Sequence, residues 1–300
     1  MKTKPGYAQL YESGKLDKII ERLSCVLESC ELCPRKCKVN RIKKELGFCR
    51  VGKDLIISSF GPHFGEEPEL VSKLGSGTIF LTNCNLGCLY CQNYDISHFG
   101  EGEKFTALQL AGQMIYLKNI GCHNINFVTP THFLPQIVES IKLAIRQGLD
   151  LPLVYNSSGY ENVEMIRIIE GVFDIYMPDI KYSDSANAEK YSLAPDYFER
   201  AKESLKEMHR QVGDLKIEDG VAVKGLIIRH LVMPNDVAGS KKALEFIAEE
   251  ISKDSYVNIM DQYRPCYKAN NFPEIDRFPT KEEFNSSIEI ARSLGLHRGF

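Results

Sequence analysis

From residue 78 onward, short apolar runs alternate with longer amphipathic stretches. The runs "TIFLTNC" (78–84), "INFVTPT" (125–131), "LPLVYNS" (151–157), "DIYMPDIK" (174–181), "GLIIRHLVMP" (225–234) and "YVNIMDQY" (256–263) read as strands. Several are nearly continuously apolar, as parallel strands covered on both faces are. Between them "TALQLAGQMIYLKNIG", "PQIVESIKLAIRQG", "ENVEMIRIIEG", "NAEKYSLAPDYFERAKESLKEMHRQVG" and "KKALEFIAEEISK" carry helical periodicity. A last stretch, "TKEEFNSSIEIARSLG", has Thr280 as its N-cap and Glu283 at the capping-box position. This order predicts an α/β fold: a parallel sheet with right-handed crossovers, curved into a six-unit (β/α) partial barrel over residues 78–300. Residues 1–77 lack the rhythm. They hold a short helical start (16–28), four clustered cysteines and a Gly/Pro-rich connector, "SFGPHFGEEPELVSKLGSG", and read as a small Cys-rich metal module packed on the barrel.

In such folds chemistry gathers at the carboxyl ends of the strands. Here those ends carry Cys84, "TPTH", "NSSGY" (with Asn156), "PDIKY", "RHLVMPN" and "QYRP", which predicts one shared mouth. A length of 300 residues and a hydrophobic fraction of 43% suit a large α/β core. A net charge of −3 gives no general attraction for nucleic acid or anionic membrane, so neither is expected as a partner. The start, "MKTKPGYAQLYESGKL", has no signal-peptide run, and no stretch is long enough to span a bilayer. A cytoplasmic location is expected, where clustered cysteines mean metal or catalysis rather than cross-links.

Of the ten cysteines, Cys84, Cys88 and Cys91 lie in "NCNLGCLYCQN". A closed zinc site wants four ligands, whereas a four-iron cluster held by three thiolates leaves one iron open to an outside ligand. The bland alternative is a zinc knuckle completed by a distant residue such as His98. Gly87 would relieve crowding where the chain wraps a cluster. A second set, Cys30, Cys33, Cys37 and Cys49, suits tetrahedral zinc and an auxiliary 4Fe-4S cluster equally. Arg35, Lys36, Lys38, Arg41, Lys43, Lys44 and Arg50 around it would offset the thiolate charge. Cys25, Cys122 and Cys266 stand apart and read as small buried side chains.

The motif Cys-x3-Cys-x-aromatic-Cys, here Cys84, Cys88, Tyr90 and Cys91, resembles that of the radical SAM superfamily. The resemblance implies a 4Fe-4S cluster whose free iron chelates S-adenosylmethionine (SAM). One electron would then cleave SAM to methionine and a 5′-deoxyadenosyl radical that abstracts hydrogen from a substrate. Within the superfamily, "CLYCQN" is similar to the Cys-x-Tyr-Cys-His-Asn of the pyruvate formate-lyase activating enzyme-like group, with Gln92 in place of histidine and Asn93 matching. "MPDIK" resembles that group's Asp-Leu-Lys strand end, which implies Asp179 and Lys181 near SAM. "IRHLVMPN" resembles its Arg-x-x-x-x-Pro-Gly stretch, which nominates Arg229. Further stretches, among them "GEEP", "NINFVTPTH" and "MDQY", resemble an uncharacterised branch of the group from about residue 20 to 296.

The sequence also departs from the group. Where many relatives carry Gly-Gly-Glu, this chain reads Val128-Thr129-Pro130-Thr131-His132, so Thr129 and Thr131 are the available oxygens. His132 is either a substrate-side acid or base or a helix-start histidine bonded to backbone. Gln262 and Tyr263 stand where the activating enzymes have a histidine near the adenosyl group. Tyr263 is either a hydrogen donor or adenine contact, or a core tyrosine. Lys181 and Arg229 would be paired either with the SAM carboxylate or within the protein.

The resemblance therefore implies a radical SAM oxidoreductase, served by an electron donor such as flavodoxin or ferredoxin. Its substrate would be a protein glycine, as for a glycyl-radical activase, or a peptide or small molecule. The competing expectations are a zinc-stapled binding protein without radical chemistry and a nucleic-acid binder using the basic Cys-rich module. The second is disfavoured by the charge balance and the lack of an aromatic-and-basic stripe.

Overall fold

Nine strands form one mixed sheet in the computed structural model, which describes residues 4–300. They are β1 (Leu55–His63), β2 (Ser76–Leu81), β3 (Glu103–Phe105), β4 (Ile125–Val128), β5 (Leu153–Ser157), β6 (Ile175–Pro178), β7 (Lys216–Glu218), β8 (Val221–Leu231) and β9 (Tyr256–Met260). Parallel pairing runs from β2 through β4, β5, β6 and β8 to β9. Antiparallel β1 and β3 extend the β2 edge, and β7 folds back on β8. The helices are α1 (Gly6–Glu12), α2 (Lys15–Cys25), α3 (Pro68–Val71), α4 (Tyr94–Ser97), α5 (Ala107–Asn119), α6 (Leu134–Arg146), α7 (Val163–Ile168), α8 (Ser185–Ser192), α9 (Tyr197–Val212), α10 (Ser240–Phe246) and α11 (Lys281–Ser293).

Strand alternation divides the core in two. Leu153, Tyr155, Tyr176, Leu226, Ile228 and Val257 face the helices and belong to the main buried cluster. Their chain neighbours Val154, Ile175, Met177, Ile227 and Tyr256 form a second cluster on the inner face. This two-sided burial explains the unbroken apolar runs. Each large aliphatic side chain removed from water contributes about 1.5–3 kcal/mol.

Three expectations need correction. The connector is not all loop, because β1 runs through Gly61 and Pro62 and pairs with β2. β3 covers only Leu55–Ile57, so Pro62 sits where one flank of β1 is unpaired, a place a strand tolerates proline. The single amphipathic stretch 187–213 is two helices. Leu193 turns left-handed (φ 55°) at the end of α8, and Pro195 has no N–H to continue the ladder. Among the isolated cysteines only Cys122 is buried; Cys25 is exposed and Cys266 half-buried. The capping box of α11 does form, with Glu283 N–H bonded to Thr280 Oγ1 at 3.2 Å.

The segment after β1 crosses to β8 and β9 at the other end of the strand order. Glu66 reaches Arg229 on β8 (3.3 Å), and Glu67 accepts from Asn258 of β9 (2.8 Å). Glu69 accepts from the Tyr256 hydroxyl (2.6 Å), while Leu70 enters the inner apolar cluster. Asn124 Nδ2 donates to the Leu70 carbonyl at 2.9 Å and fixes the far end of this strap.

Candidate active site

Above the inner apolar cluster the barrel opens into a cavity of about 390 Å³. Register builds its floor: Phe80, Val128 and Asn156 are successive cross-strand partners on β2, β4 and β5. Arg229 bridges to Asp179 at the end of β6. The strand ends and the loop after β2 supply the walls. Cys84, Cys88, Tyr90, Cys91, Asn93, Thr129, Asn156, Asp179, Lys181, Arg229 and Gln262 all line this one space.

The three thiols sit in a polar collar. Leu86 N–H donates to Cys84 Sγ (3.3 Å), Ser192 Oγ to Cys88 Sγ (3.0 Å), and Cys91 Sγ lies 3.1 Å from Ser97 Oγ. Burial and mutual repulsion push the Cys84 thiol up, and burial pushes up Cys88 although Lys181 opposes it. Such thiols ionise when a metal replaces the proton, and soft thiolate sets favour iron–sulfur clusters. Among the described residues no three His, Cys, Asp or Glu side chains close on one point as a single ion requires. Ligands of a polynuclear cluster sit on different irons and need not share a point. His98 places its Nε2 on the Cys88 carbonyl (2.9 Å) and stacks on Tyr267.

Opposite the thiols, Asp179 holds two cations. Its carboxylate bonds Lys181 Nζ and, at 2.8 Å, Arg229 Nε; Arg229 also donates to Asn156 Oδ1 at 2.7 Å. Burial alone would raise the Asp179 pKa, but Arg229 and Lys181 outweigh it and hold the carboxyl ionised. Burial opposes the charge on Lys181, and Asp179 more than restores it. Both cations are therefore paired within the protein, with faces still open to the cavity. Thr129 lies in the left-handed region (φ 61°), with its N–H bonded to the Asn156 carbonyl at 2.8 Å. Strain held at such a mouth is typical of functional sites. Gln92 Nε2 bonds the Gln262 carbonyl (2.9 Å) and ties the cysteine loop to the end of β9.

Other candidates fall outside. His132 is fully buried, with Nε2 on the Thr82 carbonyl (2.8 Å) and its pKa pushed by burial to about 3. It borders the cavity of the other cysteine set and has no substrate-side role. Thr131 bonds Glu161 (2.7 Å), and Tyr263 is a core tyrosine whose hydroxyl donates to the Ile275 carbonyl (2.7 Å). Sequence reasoning missed His63, Glu66, Phe80 and Asn83, all of which line the cavity. The signal available for Glu66 was two adjacent glutamates in a Gly/Pro-rich connector.

Cys30, Cys33, Cys37 and Cys49 line a second, small cavity. Phe48 N–H points at Cys37 Sγ (3.4 Å), and the N–H groups of Arg35 and Val51 point at Cys33 and Cys49. A Cβ on Gly47 would sit 2.9 Å from Cys37 Sγ, so only glycine leaves the sulfur its place. The module grips the first cysteine loop. Arg35 donates to the carbonyls of Asn85 (3.1 Å), Ser192 (3.3 Å) and Leu193, with its guanidinium 3.8 Å from the Phe48 ring centre. Gly87 is crowded by Leu193 and Phe48, which a Cβ would meet at 3.1 and 3.3 Å. Its smallness serves this packing.

Two proteins of Methanocaldococcus jannaschii resemble this chain over most of its length. The uncharacterized protein MJ0674 is 33% identical over 94% of this chain and 79% of its own. The uncharacterized protein MJ0808 is 23% identical over 90% and 78%. Among solved structures, HydG, a maturase of the FeFe-hydrogenase, superposes with a TM-score of 0.50 at 13% identity, covering 72% of this chain. The match spans about half of HydG (48%), and at that identity it speaks for the fold alone: an α/β, parallel-dominated sheet of the partial-barrel kind. The family model of the radical SAM superfamily matches residues 78–247, from β2 to the end of α10. The chain belongs to the radical SAM superfamily.

Proposed function

We propose that Cys84, Cys88 and Cys91 hold a 4Fe-4S cluster in this cavity and that the chain is an oxidoreductase of the pyruvate formate-lyase activating enzyme-like group. When bound, the cluster and SAM supply one-electron cleavage of the sulfonium, giving methionine and a 5′-deoxyadenosyl radical that takes hydrogen from a substrate. The observation that carries the reading is the convergence of three thiols and the Lys181–Asp179–Arg229 pairs on one cavity. Lys181 and Arg229 orient the SAM carboxylate, with Asn156 and Thr129 as further polar contacts. Tyr90, buried against Tyr182 and Tyr263, stiffens the loop between the last two cysteines. Gln262 and Asn93 close the top and exclude water from the reacting atoms. An external low-potential donor, such as a flavodoxin or ferredoxin, supplies the electron. The second cysteine set holds zinc or an auxiliary cluster, for which its N–H-to-sulfur bonds and the Gly47 cradle are the support.

The test is replacement of Cys84, Cys88 and Cys91 together by alanine. Anaerobically purified wild type should be brown and form 5′-deoxyadenosine from SAM with dithionite. The variant should lose that activity and the absorption of the SAM cluster together. SAM cleavage by the triple variant would refute the reading.

A further inference from the structure

We infer that the cavity floor is a subsite for the cationic amine of a small-molecule substrate, held by Glu66. The inference rests on the radical SAM reading above and chooses among the substrates it leaves open.

The first argument is size. The strap from Glu66 to Leu70 crosses from the end of β1 to β8 and β9 and places Glu66 in the cavity lining. The strap is pinned at Arg229, Asn258, Tyr256 and Asn124, so it is part of the fold. What remains is about 390 Å³, near the low end of small-molecule sites, and SAM must share it.

The second argument is charge. Among the described residues Arg229 is the one ion-pair partner of Glu66, through Nη1 on Oε2 at 3.3 Å, and its other nitrogens serve Asp179 and Asn156. Glu66 Oε1 has no hydrogen-bond partner among the described residues, although the side chain is only 7% exposed and lines the cavity. Next to it Glu67 keeps a buried Oε2 without a partner. In the cavity lining Asp179 and Glu66 face Arg229 and Lys181, and the charge of Glu67 behind them also acts on Arg229, an excess of carboxylates that a cationic ligand relieves. Burial accordingly raises the Glu66 carboxyl, with Arg229 only partly opposing it.

The third argument is shape. His63 stands edge-on to Phe80 at 5.6 Å beside Glu66, and an aromatic face beside a carboxylate suits an alkylammonium group.

The experiment titrates n-butylamine and n-butanol into wild-type holoprotein carrying its cluster and saturating SAM, followed by calorimetry. The amine should bind roughly ten- to a hundredfold tighter, the worth of a charge-assisted bond in a closed site. Glu66→Gln should bring the two affinities together, and Glu66→Asp should keep part of the preference. Equal binding of the two probes to wild type overturns the inference, as does an amine preference that survives Glu66→Gln. A fall in SAM affinity in Glu66→Gln as large as the lost preference would assign Glu66 to the amino group of SAM and overturn it too. Displacement of butylamine by a glycine-containing peptide would return the site to protein substrates. Failure of the underlying reading shows elsewhere, as absence of 5′-deoxyadenosine from wild type with dithionite.

Discussion

Arg229 shows how much one side chain carries here. It joins Asp179, Asn156 and Glu66, three residues on three other segments, from the end of an apolar strand. Removing it leaves Glu66 without its ion-pair partner and Asp179 with Lys181 alone, and breaking a buried pair in this way costs about 3–5 kcal/mol. Lys181 is different, because its loss leaves Asp179 still paired with Arg229. Lys181→Ala and Arg229→Ala should both keep the cluster spectrum and both weaken SAM binding roughly ten- to a hundredfold. Only Arg229→Ala should also unfold markedly earlier. Lys181→Arg should rescue poorly, since a planar fork replaces a point charge beside Asp179. SAM titration of the cluster's electron paramagnetic resonance signal, alongside thermal unfolding, separates these outcomes. Wild-type SAM affinity in both alanine variants would make the pair structural only.

At the scale of elements, the turn after β4 is held by Glu161. Thr131 Oγ1 donates to its Oε1 (2.7 Å) and the Tyr155 hydroxyl to its Oε2 (3.0 Å), joining that turn to β5 and the start of α7. Burial pushes the Glu161 pKa from 4.5 to about 7, against the pull of those hydroxyls. The folded state therefore holds this proton more tightly than the unfolded chain. The stability it contributes is full below about pH 4.5 and is lost as pH rises to about 7. Glu161→Gln does not titrate, so its stability relative to wild type should climb from pH 5 to pH 8 by on the order of 3 kcal/mol. Unfolding midpoints of both proteins at the two pH values test this. A constant difference would mean that the carboxyl ionises normally.

The same elements show what could be read from sequence. Apolar runs located β2, β4, β5, β6, β8 and β9, because burial on both faces leaves an unbroken signal. β1 escaped, since its Ser, Gly and Pro serve an edge pairing that has no periodic signature. Residues at strand ends, from Cys84 to Gln262, proved to share a cavity because a parallel sheet brings every carboxyl end to one side. Glu66 was hidden because its role depends on the strap crossing to Arg229, a contact 163 residues away in the chain.

At the scale of the molecule, the two cysteine sets are mechanically linked. Arg35 lies between Cys33 and Cys37, and its guanidinium holds carbonyls on the loop of Cys84–Cys91 and after α8. Arg41, buried in the same module, donates to the carbonyls of Gly52 (2.9 Å) and of His132 beyond β4 (2.7 Å). Between Cys30 and Cys49 the module has no strand or helix of its own. If its thiols hold metal as proposed, binding would supply roughly 10–16 kcal/mol for zinc, and metal loss would be local unfolding. Cys33→Ala with Cys37→Ala should therefore lower solubility and the unfolding midpoint first. It should also loosen the Cys84–Cys91 loop, so that iron at Cys84, Cys88 and Cys91 is lost faster to a chelator than from wild type. Metal analysis of the Cys84, Cys88 and Cys91 triple alanine variant identifies what the module itself binds. Finding neither zinc nor iron there would refute a metal-bound module. Equal rates of iron loss with and without Cys33 and Cys37 would show that Arg35 holds its carbonyls without the metal's help.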